Sequence, residues 1–177
     1  KVCVVGGGPA GMTAAYYLAK QGHETVLKEA LPKLGGQMQY GIPSYRLPRE
    51  VVDKEAGYLA EAGVKVETGC RVEAPKDLLE AYDAVLMAIG THAGVRLPME
   101  GNQLPGVLLN ADFLRNATMG KETGMGKRVI VLGGGNVAFD CARTAVRLGA
   151  KEIHLACLEA RDKMLADDEE IEQAEEE

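Results

Sequence analysis

Five glycines, one alanine and two glutamates carry the chemistry legible in this chain. Gly6-x-Gly8-x-x-Gly11 follows a short apolar run at residues 2–5 and opens a stretch rich in Ala, Met, Leu and Tyr. In such a turn the first glycine permits the tight exit from a strand. The second lets the backbone approach a pyrophosphate, and the third lets helix and strand pack closely. Pro9 and Ala10 lie inside the turn, where a helix N-terminus offers free N–H groups and partial positive charge to phosphates. Glu29 lies 18 residues after Gly11, at the end of the next apolar run. A carboxylate there accepts hydrogen bonds from adenosine ribose hydroxyls. Gly133-x-Gly135-x-x-Ala138 repeats the pattern, with Asn136 and Val137 inside it and Glu159 21 residues beyond Ala138. Two such turns, 127 residues apart, imply two dinucleotides on one chain. That arrangement suits the passing of a hydride between them.

The elements that must position these residues follow from the same stretches. A helix is expected over residues 10–20, ended near Gly22, and a strand over residues 24–28, which completes a βαβ unit. Residues 30–49 carry Pro32, Gly35-Gly36, Gly41-Ile42-Pro43 and Pro48 and read as a long functional loop. Residues 49–63 form an amphipathic helix with Val52, Ala56, Leu59 and Ala60 on one side. Short strands are expected at 64–67, 71–73 and 84–88, and a helix at 111–119. The opening pattern then returns as strand 128–132, a helix to about Leu148 and strand 152–157. The period is too long for a solenoid and points to two domains of like fold. The expected fold class is therefore α/β, with two Rossmann-like dinucleotide-binding domains at 1–100 and 101–177. A mononucleotide-binding half needs at least a third strand. The second domain is therefore expected to be truncated, and the missing initiator Met suggests an excised segment.

Composition narrows the class further. The 177 residues are 46% hydrophobic and 26% charged, as in a water-soluble globular protein. A compact chain of this mass would expose about 8,000 Å² and bury roughly 70% of its unfolded surface. No apolar run approaches the ~20 residues of a membrane span, so no membrane contact is expected. The net charge of −6 is local: residues 167–177 hold eight acids and no base. This terminal run reads as a solvated surface and an interrupted helix, and nucleic acid is not an expected partner. Cys3, Cys70, Cys141 and Cys157 form no CxxC and suit buried free thiols in a reducing, cytoplasmic setting. His23, His92 and His154 are dispersed without metal-ligand spacing.

The segment GGGPAGMTAAYYLAKQGHETVLKEALPKLGGQMQYGIPSYRLPREVVDKE resembles the FAD domain of the glutamate synthase small (β) subunit and related NAD(P)H-dependent flavoproteins. AYDAVLMAIGTH, LPGVLLNADFLR and GKRVIVLGGGNVAFDCARTAVRLGAKEIHLA continue the resemblance over nearly the whole chain. It implies an FAD domain interrupted by an NAD(P)H domain, with FAD on the first turn and the nicotinamide nucleotide on the second. On that basis Glu29 meets the FAD ribose, and Gly36 and Gln37 lie near the flavin phosphates. Arg46 of the GIPxxRLP stretch contacts FAD, and the backbone at Val72 reads the adenine. Ala88, Gly90 and Thr91 form the segment where the chain passes the cofactor. The implied activity is that of an electron-input module. A hydride passes from NAD(P)H to FAD, and electrons pass on to an iron–sulfur domain or a large catalytic subunit.

The resemblance has departures. NADPH-using members carry a pair of arginines at the end of the second strand of the nucleotide domain, where this chain reads Cys157-Leu158-Glu159. A carboxylate repels a 2′-phosphate and accepts from a free 2′-hydroxyl, so Glu159 favours NADH. Arg161, matched to a family arginine, could still meet a phosphate. The cysteine-rich N-terminal segment of the family and the closing part of the FAD domain are not in this sequence. The 177 residues alone are therefore expected to bind neither nucleotide well. Hydride transfer needs position and electrostatics rather than an acid, base or nucleophile from the protein. Three alternatives stay open: a non-redox dinucleotide-binding regulatory module, a single-nucleotide flavoenzyme and a disulfide reductase. The second turn argues against the single-nucleotide enzyme, and the reductase would need a nearby redox-active cysteine pair.

Overall fold

Val2, Cys3, Val4 and Val5 are small or β-branched and apolar, a composition that suits a central parallel strand buried on both faces. In the computed structural model, which describes residues 1–177, they form β1 (Val2–Val5), and Cys3, Val4 and Val5 are buried. The chain divides into two compact units, Lys1–His92 and Ala93–Glu177.

In the first unit β1 is followed by α1 (Pro9–Lys20), β2 (Thr25–Lys28), α2 (Gln37–Tyr40), α3 (Arg49–Glu61), β3 (Lys65–Glu67), a 3-10 helix (Pro75–Glu80) and β4 (Ala84–Met87). Pro9 suits the first turn of α1, where its missing N–H has no partner to lose. The sheet order is β3-β2-β1-β4, and every pairing is parallel. Val2 of β1 faces Thr25 of β2 on one side and Ala84 of β4 on the other. Val4 and Leu27 of the sheet pack with Met12 and Ala15 of α1 and Leu59 of α3 to make the core.

The second unit runs α4 (Asn110–Thr118), β5 (Arg128–Leu132), α5 (Asn136–Arg147), β6 (Glu152–Ala156), a 3-10 turn (Arg161–Lys163) and α6 (Asp168–Glu176). β5 and β6 pair in parallel from Arg128↔Glu152 to Leu132↔Ala156. Phe113, Leu114, Cys141 and Ala145 of α4 and α5 pack on Val129, Val131 and Ile153 of the sheet. A second cluster joins Phe139 of α5 to Ala166 and Ile171, with Leu155 beside it.

Four expectations are corrected. Residues 71–73 form no strand: the Arg71–Glu73 pair is exposed and the segment has no neighbour to complete a ladder. The long loop at 30–49 contains the one-turn helix α2, too short to leave a periodic signal. The acidic terminal helix is not merely solvated. Ile171 is 2% exposed, and Glu170 and Glu177 pair with the buried Arg143 of α5, docking α6 on α5. The sheets are less covered than the compact expectation, with parts of their faces open in each unit. Ile130 and Leu132 of β5 and Leu86 and Met87 of β4 are exposed, whereas parallel sheets are ordinarily covered on both faces.

Candidate functional site

In the first unit the glycine turn joins β1 to α1. Gly6 has φ 110°, and a Cβ on it would lie 2.3 Å from the Ala88 carbonyl oxygen. A Cβ on Gly11 would lie 1.8 Å from the Gly6 oxygen. These two positions exclude any side chain because backbone occupies the space. Gly8 differs: its φ is −76°, and a Cβ there would meet only the Gly36 Cα, at 3.8 Å. That open side is where a phosphate could approach the first N–H groups of α1, which have no intrahelical acceptor. Pro9 and Ala10 are exposed beside it.

Glu29 is buried directly beneath this turn. Its Oε2 accepts the Gly7 N–H at 2.6 Å and its Oε1 accepts the Leu31 N–H at 2.7 Å. A carboxylate has about four acceptor positions, and these two bonds use half of them. The loop after β2 returns to the turn: the Gly35 N–H donates to the Gly7 carbonyl at 2.7 Å. Gly36 follows with φ 53°, its Cα packed against Gly8. Gln37 donates through Nε2 to the Thr91 carbonyl at 3.1 Å, which ties this loop to the segment of Ala88, Gly90 and Thr91. Thus Gly6, Gly8, Gly11, Glu29, Gly36, Gln37, Ala88 and Thr91 converge at the carboxyl-terminal end of the parallel strands, with exposed Gly90 between the last two. Val72 lies half-buried in an irregular stretch just past Cys70, whose N–H donates to the Glu29 carbonyl at 2.8 Å.

Arg46 sits half-buried in the loop, with its backbone N–H on the Pro43 carbonyl. Arg49 is the arginine that holds this loop in shape, and sequence reading missed it. Its Nη1 donates to the Met38 carbonyl at 2.6 Å and its Nη2 to the Ile42 carbonyl at 2.7 Å. The guanidinium fork closes the C-terminal end of α2, and its burial lowers the Arg49 pKa from the usual range. An arginine at a helix start gives no sequence signal for such a backward reach.

The second unit repeats the arrangement. The Gly133 N–H donates to the Ala156 carbonyl at 2.8 Å, as the Gly6 N–H does to Lys28. Gly135 is open, with nothing within 4 Å of where a Cβ would stand. Ala138 takes the place of Gly11, and its Cβ lies 3.6 Å from the position of a Cβ on Gly133, so this turn has room for a methyl group. Glu159 comes to the middle glycine: its Oε2 is 3.5 Å from the position of a Cβ on Gly134. Val137 is exposed on α5. Asn136 turns its side chain to Asp167, and Arg161 donates through Nε to Glu175 at 3.0 Å. Elsewhere in this unit a cavity of about 520 Å³ lies among side chains of α5, β6 and α6, including Phe139, Val146, Ile153 and Ile171. It contains none of the glycine-turn residues.

The model of the pyridine nucleotide-disulphide oxidoreductase family matches residues 1–177. The β subunit of the NADPH-Fe(3+) oxidoreductase of Geobacter sulfurreducens is 42% identical over 100% of this chain and 28% of its own length. The β subunit of the NADP(+)-dependent formate dehydrogenase of Moorella thermoacetica is 42% identical over 99% of this chain and 26% of its own. The small chain of glutamate synthase [NADPH] of Halomonas elongata is 36% identical over 100% of this chain and 40% of its own. The chain thus spans two fifths or less of each of these relatives. Among solved structures, FprA of Mycobacterium tuberculosis in complex with NADPH superimposes with a TM-score of 0.83, at 22% identity over 99% of this chain and 47% of that one. Thioredoxin reductase of Lactococcus lactis gives 0.67, at 22% identity over 100% of this chain and 61% of that one. At these identities the structures speak for the fold alone. No helix is long and apolar enough to cross a membrane.

Proposed function

The chain belongs to the pyridine nucleotide-disulphide oxidoreductase family, and from that premise we propose that it is the nucleotide-binding part of an FAD-dependent NAD(P)H oxidoreductase. The observation that carries the reading is the duplicated turn: two backbone cradles, open at Gly8 and at Gly135, each with a glutamate against the middle glycine. A cradle that a Cβ would fill fits a pyrophosphate, so the residues present fit the two nucleotides. On this reading 1–100 is the start of the FAD domain and 101–177 the start of the NAD(P)H domain.

When bound, FAD and the nicotinamide supply the hydride chemistry. The chain's residues supply position. The first turn of α1 would receive the FAD pyrophosphate, with Gly8 giving access beside Gly36. Glu29 orients the ribose while its two backbone bonds hold it in place. Gln37 and Arg49 fix the loop over this end of the site, and Arg46 and the Val72 backbone complete it. The first turn of α5 receives the second pyrophosphate through Gly133, Gly135 and Ala138.

Three relatives are named for NADPH or NADP(+), which gives the NADH expectation from Glu159 no support. NADPH is therefore the working donor, with Glu159 and Arg161 nearest the residue-level choice. The relatives' names mark them as subunits, which supports the reading of an electron-accepting partner, an iron–sulfur domain or a large subunit. The disulfide-reductase alternative would need a nearby redox-active cysteine pair, and Cys3, Cys70, Cys141 and Cys157 form no CxxC.

The assignment of the turns is tested in the full-length protein by counting bound flavin. Gly8→Val is expected to lose FAD. Gly135→Val is expected to keep FAD but lose reduction by NADPH. Flavin retained in Gly8→Val and lost in Gly135→Val would reverse the assignment.

A further inference from the structure

The two units close their glycine turns by the same device. In the first, the loop after β2 returns and the Gly35 N–H donates to the carbonyl of the middle glycine, Gly7, at 2.7 Å. In the second, the loop after β6 returns and the Ala166 N–H donates to the carbonyl of the middle glycine, Gly134, at 3.0 Å. The second unit adds a lock. The Asn136 Oδ1 accepts the Asp167 backbone N–H at 2.8 Å, and the Asn136 Nδ2 donates to the Asp167 Oδ2 at 2.8 Å. Asn136 is the first residue of α5, directly after Gly135, and Asp167 immediately precedes α6. A two-point hydrogen bond across 31 residues thus joins the start of one helix to the start of the other.

We infer that Asp167 and Asn136 are positioning residues for the second nucleotide. Together they latch the 164–167 segment onto the Gly133–Gly135 turn and fix the N–H groups that meet the pyrophosphate. This inference rests on the reading of that turn as the NAD(P)H site. It gives Asn136 a role other than touching the nucleotide: its amide oxygen and nitrogen are both engaged by Asp167. The backbone of the turn, not the Asn136 side chain, then faces the ligand. Arg143 supports the latch from behind, since its bonds to Glu170, Gln173 and Glu177 hold α6, and with it Asp167, against α5.

The test uses the full-length, FAD-loaded protein and follows reduction of its flavin by NADPH. Asp167→Ala removes the side-chain acceptor and is expected to raise the KM for NADPH at least tenfold, with kcat within twofold and flavin content unchanged. Asp167→Asn keeps an acceptor oxygen for the Asn136 amide and is expected to restore KM to within threefold of wild type. A KM unchanged in Asp167→Ala, or equally raised in Asp167→Asn, overturns the latch. Should Asp167→Ala not fold, Asn136→Ala carries the same expectation. Loss of the fold in both variants makes the pair structural and overturns the assignment. Wild-type flavin that neither NADPH nor NADH reduces removes the reading of the site, and the latch with it. Wild-type flavin that is reduced, beside an unaffected Asp167→Ala, removes the latch alone.

Discussion

Glu29 and Gly7 are joined by a hydrogen bond of 2.6 Å in which the buried carboxylate accepts the N–H of the middle glycine. The same side chain accepts the Leu31 N–H through its other oxygen. The residue that would orient a ribose is therefore also the residue that shapes the turn beneath the pyrophosphate. On the proposed reading binding and folding share one side chain, and this decides how its variants behave. Glu29→Ala leaves two backbone donors without an acceptor, at about 1–3 kcal/mol for each one that stays buried. Urea unfolding of the full-length protein is expected to register that loss, together with weaker FAD binding. A variant of unchanged stability would show that water replaces the carboxylate.

The third position of each turn gives a second test. Gly11→Ala places a methyl group where the Gly6 carbonyl oxygen stands, 1.8 Å from the new carbon. The helix and strand would have to move apart, so the variant is expected to lose its cooperative melt or its flavin. The reciprocal change, Ala138→Gly, removes a methyl group that the second turn already accommodates. It is expected to cost about 1 kcal/mol through helix propensity alone. Equal effects of the two changes would contradict the difference in closeness between the turns.

A pH dependence follows from the sheet edge of the first unit. Glu67 of β3 accepts from Lys28 and from Lys65, and these bonds hold its carboxyl at about 2, against an ordinary value of 4.5. A carboxyl depressed in the folded state stabilises it fully above the unfolded value and loses that contribution as pH falls through the folded one. Stability measured by denaturant unfolding should therefore fall between about pH 5 and pH 2. Glu67→Gln, with nothing to protonate, should show a shallower fall. Identical slopes would assign the acid sensitivity to other carboxylates.

Coenzyme choice is tested at Glu159. The carboxylate beside Gly134 would oppose a 2′-phosphate, so Glu159→Arg is expected to lower the NADH/NADPH ratio of kcat/KM about tenfold, the size of one charge-assisted contact. An unchanged ratio would place Glu159 outside the discriminating contact and leave the choice to Arg161 or to the backbone.

Much of this architecture was legible because it is written in short-range pattern. Gly6, Gly8 and Gly11 sit between an apolar run and a helical one, and so do Gly133, Gly135 and Ala138; the α/β class follows from that alternation. What was not legible depends on partners far apart in the chain. The Asn136–Asp167 lock spans 31 residues with no periodic trace. Arg49 reaches back to carbonyls, which any residue type supplies. The run at 167–177 reads as solvated because eight acids hide Ile171, and because Arg143, which binds two of the glutamates, lies in another helix. Residues 71–73 show that apolar alternation without a neighbouring edge makes no strand.

The central proposal is that the two turns hold FAD and a nicotinamide nucleotide between which a hydride passes. The most direct measurement is an anaerobic visible spectrum of the full-length protein, titrated first with NADPH and then with NADH. The account predicts a flavin band that is bleached by about one equivalent of the productive nucleotide per flavin, the stoichiometry of a two-electron transfer. A protein that shows no flavin band after incubation with FAD, or a flavin that neither nucleotide bleaches, would contradict it.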